Sequence, residues 1–160
     1  FSWVKFYMKT STKIALLSFL ILLSVHILEW VGFTPCDLCL KQRWAWYFVL
    51  IISTISSGFD NSRTRLVFYV ISLILYANAV FAIWHAGIEW NFWEGPQTCN
   101  IQSSSLEDDF LNDLKSNDRF VPCNEAPIRV FGLSLAAYNA IASILIASLA
   151  LQGIKKNDGK

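Results

Sequence analysis

The chain has 160 residues, a length that indicates a single domain. Hydrophobic residues make up 54% of it and charged residues only 16%, whereas charged residues make up about 25% of an ordinary soluble domain. This composition excludes intrinsic disorder and an ordinary soluble globule. The net charge of +1 excludes a basic surface for nucleic acid, and four cysteines are too few for a disulfide-rich secreted scaffold.

Four apolar segments follow one another along the chain, at residues 14–33, 43–58, 66–85 and 130–152. About 20 apolar residues in a helix cover the hydrocarbon core of a bilayer, which is roughly 30 Å thick. The second segment is the shortest, and a buried re-entrant segment is the alternative interpretation for it. We predict an all-α fold, an integral membrane four-helix bundle that forms one domain over residues 1–160.

Positive charges favour one orientation of this bundle. The two termini and the loop between the second and third segments carry eight Lys and Arg residues, whereas the other side carries five over much longer loops. Because positively charged loops stay in the cytoplasm, both termini are predicted to be cytoplasmic. The outer loops, 34–42 and 86–129, contain all four cysteines. In a bacterium they would face the periplasm from the inner membrane, where disulfides persist.

The long outer loop is predicted to contain a short amphipathic helix. Leu106, Phe110 and Leu114 recur every fourth residue, after a Ser-Leu-Glu-Asp sequence at 105–108 that is typical of a helix start. Such a helix would lie on the membrane surface. The alternative interpretation is that this helix only covers the outer ends of the membrane helices and has no other role.

Cys36 and Cys39 form a Cys-x-x-Cys motif just before the second apolar segment. A disulfide at this spacing closes a small, strained ring and is easily reduced. We expect Cys39 to lie near a helix N-terminus with Arg43 one turn later, and both features favour a thiolate, so we predict a depressed pKa for Cys39. A redox pair is the favoured interpretation. A structural bridge and half of a zinc site are the alternatives, but the nearest histidine, His26, lies inside the first segment.

Cys99 and Cys123 form a second pair and enclose 23 residues of the long outer loop. A soluble protein can reach such a loop. An exposed pair beside a pair at membrane level suits a thiol–disulfide relay. The electrons then need a lipid-soluble acceptor, and Arg43 can hydrogen-bond a quinone carbonyl and stabilise developing negative charge.

Two further residues are candidates for the acceptor site. His85, with Glu89 one turn later, lies at the outer end of the third segment, where it can tune the site or carry protons. Trp44 can border a bound ring. The structural alternative for His85 and Glu89 is a hydrated position at the membrane interface without a role in the site. The alternative for Trp44 is a place in an aromatic belt at that interface. No metal site is predicted.

Several polar residues lie inside the apolar segments. His26 and Glu29, three residues apart, either line the same cavity or point outward. Asn78, Tyr138 and Asn139 are expected to make hydrogen bonds between helices, since the membrane interior offers no water as a partner.

The sequence Pro-Cys-Asp-Leu-Cys-Leu-Lys-Gln-Arg at residues 35–43 resembles the signature of the DsbB family of membrane thiol oxidases. Residues 84–90, 122–127 and 131–134 are similar to that family as well. The resemblance covers essentially the whole chain, including the number of spans and the order of the cysteines. It implies a membrane thiol:quinone oxidoreductase that reoxidises a periplasmic DsbA-type dithiol oxidase.

The resemblance also implies a role for each cysteine. Cys99 would form the mixed disulfide with the DsbA-type partner, and Cys123 would then attack Cys36. Cys39 would be left as the thiolate that meets the membrane quinone, either ubiquinone or menaquinone, and Arg43 matches the quinone-contacting arginine of the family. The alternatives are a quinone-linked enzyme similar to vitamin K epoxide reductase and a non-catalytic membrane protein with two inert bridges.

Overall fold

The computed structural model describes residues 10–57, 61–96, 123, 126 and 128–158. In these residues the chain forms four helices, α1 (Thr10–Trp30), α2 (Asp37–Ser56), α3 (Asn61–Glu89) and α4 (Leu135–Asp158), and one hairpin of two short strands, β1 (Arg129–Val130) and β2 (Leu133–Ser134). Cys99 and the predicted amphipathic helix lie outside the described residues.

Three of the described helices are long and apolar enough to cross a membrane: Thr10–Trp30, Arg63–Glu89 and Leu135–Ile154. The helix α2 has 20 residues, which correspond to roughly 30 Å. Lys41 and Arg43 near its start lower its mean hydropathy. The prediction of an all-α membrane bundle is confirmed, with the small hairpin as an addition.

The helices pack as a four-helix bundle in which α3 lies along α4, α1 lies along α2, and α2 also contacts α3. Small residues on α3 and α4, such as Ala82 and Ala147, are fully buried and let the two backbones approach closely. The core between the helices contains Trp46, Phe68 and Leu75. The outward faces carry exposed apolar side chains, as contact with lipid requires.

The hairpin lies directly before α4 and contacts the end of α3, at the end of the bundle that also carries the start of α2. Its turn is formed by Phe131 and Gly132, which have φ angles of 51° and 82°. Arg129 donates to the backbone carbonyl of Glu89, the last residue of α3, at 3.2 Å. The Ser134 hydroxyl accepts from the backbone N–H of Ala137 at 3.3 Å and caps the start of α4.

Gly153 permits a close contact between α4, α3 and α1. A Cβ atom at this position would lie 2.8 Å from the Phe68 ring and 2.9 Å from the Thr10 side chain. We predict that Gly153→Val lowers the free energy of unfolding by about 1–3 kcal/mol, because the buried Phe68 ring must shift. Unfolding of the purified protein in detergent measures this change. Gln152→Val, at the exposed neighbouring position, is the control, and equal losses in both variants would contradict the prediction.

Candidate functional site

Cys36 and Cys39 meet at the first turn of α2. Cys36 is the N-cap residue, and its sulfur accepts the backbone N–H of Cys39 at 3.3 Å. The two sulfur atoms are 3.0 Å apart, and both cysteines are free thiols. Cys36 is only 3% exposed. The start of the helix therefore places two thiols in contact in a site that is largely shielded from solvent.

His85 reaches this pair from α3. Its Nε2 lies 3.5 Å from the Cys36 sulfur and 3.8 Å from Oε1 of Glu89, one turn later on the same helix. The imidazole is completely buried. The structure thus brings His85, a predicted site residue, into contact with Cys36.

The two thiols differ in acidity. The Cys36 sulfur lies against the Cys39 thiol, His85 and the Cys39 backbone N–H, and these hydrogen bonds outweigh its burial and lower the pKa of Cys36 to about 4. The same shared hydrogen bond, together with burial, raises the pKa of Cys39. The expectation of a depressed pKa for Cys39 is therefore wrong. The physical reason is that the hydrogen bond between the two sulfurs lowers the pKa of Cys36 and raises that of Cys39, while His85 and the Cys39 backbone N–H lower the pKa of Cys36 further.

Three ligand atoms of Cys36, Cys39 and His85 lie within 4.8 Å of one another, a set that can approach a metal ion. Zinc would require both sulfurs as thiolates and an unprotonated ring nitrogen. Within the described part of the chain, this group supplies three of the four ligands that a structural zinc site uses.

A cavity of about 210 Å³ lies between α1, α2 and α4. Cys39 and Arg43, one turn apart on α2, both line it. Tyr138 and Asn139 line it from α4, and α1 contributes apolar side chains such as Ile21. Cys36 is not among the described lining residues. The two sulfurs of the motif therefore face different surroundings, since Cys39 meets the cavity and Cys36 meets His85.

Two of the predicted cofactor contacts lie away from this cavity. His85 does not line the cavity. Gln42 lines the cavity and lies between it and His85, to which Gln42 is hydrogen-bonded. Trp44 is 63% exposed, and its ring packs near those of Tyr47 and Phe48 on the outer surface of α2. This position suits an aromatic belt at the membrane interface.

Arg43 is held at the wall of the cavity by an ion pair with α1. Its guanidinium donates to Glu29 Oε2 at 2.8 Å, and the same oxygen lies 3.3 Å from Nδ1 of His26. Nε2 of His26 in turn lies 2.6 Å from the Tyr47 hydroxyl. Of the two interpretations open for His26 and Glu29, the structure favours the outward one, because both are partly exposed and neither is among the described lining residues.

Sequence reasoning missed Gln42 and Trp46 as parts of the site. Gln42 Nε2 lies 2.9 Å from Nδ1 of His85, and Gln42 Oε1 accepts from Asn139 at 2.6 Å. Trp46 donates to Asn139 Oδ1 at 2.7 Å. A signal was present in the sequence, because Cys39, Gln42 and Trp46 follow a spacing of three and four residues, which places them on one face of α2.

Cys123 lies close to the first cysteine pair. It is 2% exposed, disulfide-bonded, and part of the same buried cluster as Cys36, Leu38 and Ile88. Cys99, the other cysteine of the predicted loop pair, lies outside the described residues. At least three of the four cysteines therefore gather at one end of the bundle.

The contact between His85 and Cys36 yields a prediction about acidity. We expect His85→Leu to raise the pKa of Cys36 above about 4, because the thiolate loses one of its hydrogen-bond partners. The thiolate absorbance is followed against pH in a Cys99→Ser, Cys123→Ser background, so that only the first pair titrates.

His26→Leu is the matched control for this titration, because it removes the other histidine of the chain without touching either sulfur. We expect the control to titrate as the parent does. If His85→Leu also titrates as the parent does, the assigned hydrogen bond is not made.

Comparison with known proteins identifies the family. The family profile described as "Disulfide bond formation protein DsbB" matches residues 10–152, a range that includes the helices of the bundle up to that residue and all four cysteines. No curated protein and no solved structure matches the chain. The chain therefore belongs to the DsbB family of membrane oxidoreductases that act in disulfide bond formation.

Proposed function

We propose that this DsbB-family protein is a thiol:quinone oxidoreductase that reoxidises a periplasmic DsbA-type dithiol oxidase. One observation carries the proposal: a redox-capable sulfur, Cys39, and a guanidinium, Arg43, line the same cavity between α1, α2 and α4. A sulfur that gives up electrons and a cation that stabilises negative charge are the two groups that the reduction of a membrane quinone needs from the protein.

The lining of this cavity fits a quinone ring. Most of it is apolar, and its polar residues include Arg43 of α2 and Tyr138 and Asn139 of α4. A flat apolar ring with two carbonyl groups matches such a lining. When bound, ubiquinone or menaquinone supplies an acceptor for two electrons and two protons. We assign its contact on the protein to Arg43, whose N–H groups can hydrogen-bond a carbonyl.

The exchange between the sulfurs is proposed in the following order. The dithiol of the partner reduces a Cys99–Cys123 disulfide, and the partner becomes oxidised. The Cys123 thiolate then attacks Cys36 of an oxidised Cys36–Cys39 pair, so that a Cys123–Cys36 bond forms and Cys39 leaves as a thiolate. Re-formation of the Cys99–Cys123 bond by attack of Cys99 releases Cys36, and the first pair then holds the two electrons.

The placement of the sulfurs supports this order. Cys36 shares a buried cluster with Cys123, which suits it as the sulfur under attack. Cys39 lines the cavity, which suits it as the sulfur that faces the acceptor. The low pKa of Cys36 keeps this sulfur as a thiolate at neutral pH, ready to rebuild the bond with Cys39 as the electrons leave.

The proposed location is the bacterial inner membrane, with both termini in the cytoplasm and the cysteines on the periplasmic side. The start of α2, the end of α3 and the hairpin before α4 all lie at one end of the bundle. The distribution of Lys and Arg in the sequence favours the periplasm for this end.

An anaerobic assay tests the proposed activity. The purified protein is mixed with a reduced DsbA-type protein and ubiquinone, and the quinone absorbance is followed; a parallel reaction contains menaquinone. We expect quinone loss with at least one of the two, and none in Cys39→Ala, which lacks the sulfur that faces the cavity. Absence of quinone loss in both reactions of the unmodified protein would remove the proposal.

A variant of Arg43 tests the quinone contact. We expect Arg43→Gln to raise the apparent KM for quinone roughly ten- to a hundredfold, since a hydrogen bond to a charged group contributes about 1.5–3 kcal/mol. Lys41→Gln is the matched control: Lys41 lies two residues away and pairs with Asp37 on the surface of α2. An unchanged KM in Arg43→Gln, or an equal rise in both variants, would remove the role of Arg43.

A further inference from the structure

A line of polar side chains crosses the interior of the bundle from Trp46 to Cys36. Trp46 donates to Asn139 Oδ1 at 2.7 Å, and Asn139 Nδ2 donates to Gln42 Oε1 at 2.6 Å. Gln42 Nε2 lies 2.9 Å from Nδ1 of His85, whose Nε2 lies 3.5 Å from the Cys36 sulfur. The line uses side chains of α2, α3 and α4, so the packing of three helices fixes its geometry.

The indole of Trp46 sets the direction of every hydrogen bond in this line. An indole N–H can only donate, so the Asn139 atom that faces it must be the amide oxygen. The Asn139 NH₂ group therefore points at Gln42 and requires the Gln42 oxygen. The Gln42 NH₂ group is then left to face Nδ1 of His85.

This direction determines the tautomer of His85. An NH₂ group can only donate, so Nδ1 must offer its lone pair, and the hydrogen of a neutral imidazole must lie on Nε2. Asn78 supports the same polarity, because its Nδ2 lies 3.4 Å from Asn139 Oδ1 and acts as a second donor to that oxygen.

The groups around Nε2 agree with this assignment. From the start of α2 it faces the Cys36 sulfur, with Cys39 beyond it, and from α3 it faces Glu89 Oε1 at 3.8 Å. The cation on the hairpin, Arg129, binds the backbone carbonyl of Glu89. A thiolate sulfur accepts hydrogen bonds, so a hydrogen on Nε2 satisfies Cys36, whereas Glu89 Oε1 at 3.8 Å lies too far away to accept it.

We infer that Trp46 and Asn139, acting through Gln42, are positioning residues that hold His85 with its ring hydrogen on Nε2 and aim this hydrogen at the Cys36 sulfur. His85 then serves Cys36 as a fixed hydrogen-bond donor. It is neither a base for the thiol nor a metal ligand, since the nitrogen that faces the sulfur already carries a hydrogen. The role of Cys36 in disulfide exchange rests on the proposed function. The assignment of the His85 tautomer does not, because it follows from the hydrogen bonds alone.

Nitrogen NMR of the full-length protein tests the inference. The chain contains two histidines, so His26→Gln leaves His85 as the sole source of signals after labelling with ¹⁵N-histidine. In detergent at neutral pH, with the first cysteine pair reduced, we expect Nδ1 to show the shift of an unprotonated nitrogen and Nε2 that of a protonated one. A protonated Nδ1 in this protein would overturn the inference.

We expect Asn139→Asp to reverse the direction of the hydrogen bonds from Asn139 through Gln42 to His85. The new carboxylate still accepts from Trp46 but cannot donate to Gln42, so the Gln42 amide must turn and present its oxygen to Nδ1. We expect Nδ1 to become protonated in this variant. Ser72→Ala is the matched control, because it removes another buried hydrogen bond between α3 and α4, from Ser72 to the Ala147 carbonyl at 3.2 Å, and should leave the His85 signals unchanged.

If Asn139→Asp does not fold, Gln42→Glu provides the same test, because a carboxylate there accepts from both Asn139 and Nδ1. An unprotonated Nδ1 in whichever variant folds, or the same switch in Ser72→Ala, would overturn the inference. The quinone assay is independent of these measurements. Its failure together with an observed tautomer switch would remove the proposed function and leave the positioning role intact.

Discussion

Polar groups inside an apolar bundle must find their partners within the protein, because neither lipid nor bulk water can satisfy them. This constraint organises the end of the bundle that carries the cysteines. Three polar side chains there come from three different helices and are hydrogen-bonded in a row, Asn139 to Gln42 and Gln42 to His85. The network therefore does two things at once: it fixes the register of the helices and it determines which atom the Cys36 sulfur meets.

The second organising feature is the capping of α2 by a sulfur. A Cys-x-x-Cys motif at a helix start places its first cysteine at the N-cap, where backbone N–H groups and the helix dipole favour negative charge. The second cysteine is carried into the first turn and toward the cavity. The two chemically identical side chains thus acquire different neighbours from their positions at the start of one helix. The hydrogen bond between them and the contact of His85 with Cys36 then make their acidity different.

Much of this organisation could be predicted from the sequence. The apolar segments indicate the helices, and the spacing of Cys39 and Arg43 places them on one face of α2, where both meet the cavity. The identity of the more acidic thiol could not be predicted in this way, because it depends on the residue at which α2 begins and on the contact that His85 of α3 makes with Cys36. Cys39 would occupy the N-cap position that Cys36 has in the structure only if α2 began at Leu40, three residues later.

The partners of His85 and Trp46 were also beyond sequence reasoning. Hydrogen bonds between helices depend on axial register, and a shift of one residue turns a side chain by about 100° around the helix. The pattern of apolar residues fixes the axial register only loosely, since these helices carry apolar residues on all of their faces. Trp44 illustrates the same limit, because two positions along α2 separate its exposed ring from the buried ring of Trp46.

The ion pair between Arg43 and Glu29 has a consequence for how ready the proposed site is to receive a ring. With the Glu29 carboxylate at 2.8 Å, the guanidinium is already oriented at the cavity wall by a residue of the first helix. It has five N–H donors, so the bond to Glu29 leaves others that can meet a carbonyl in the cavity. The arginine therefore need not give up its carboxylate when a ring enters, which keeps the entropy cost of ordering this side chain small.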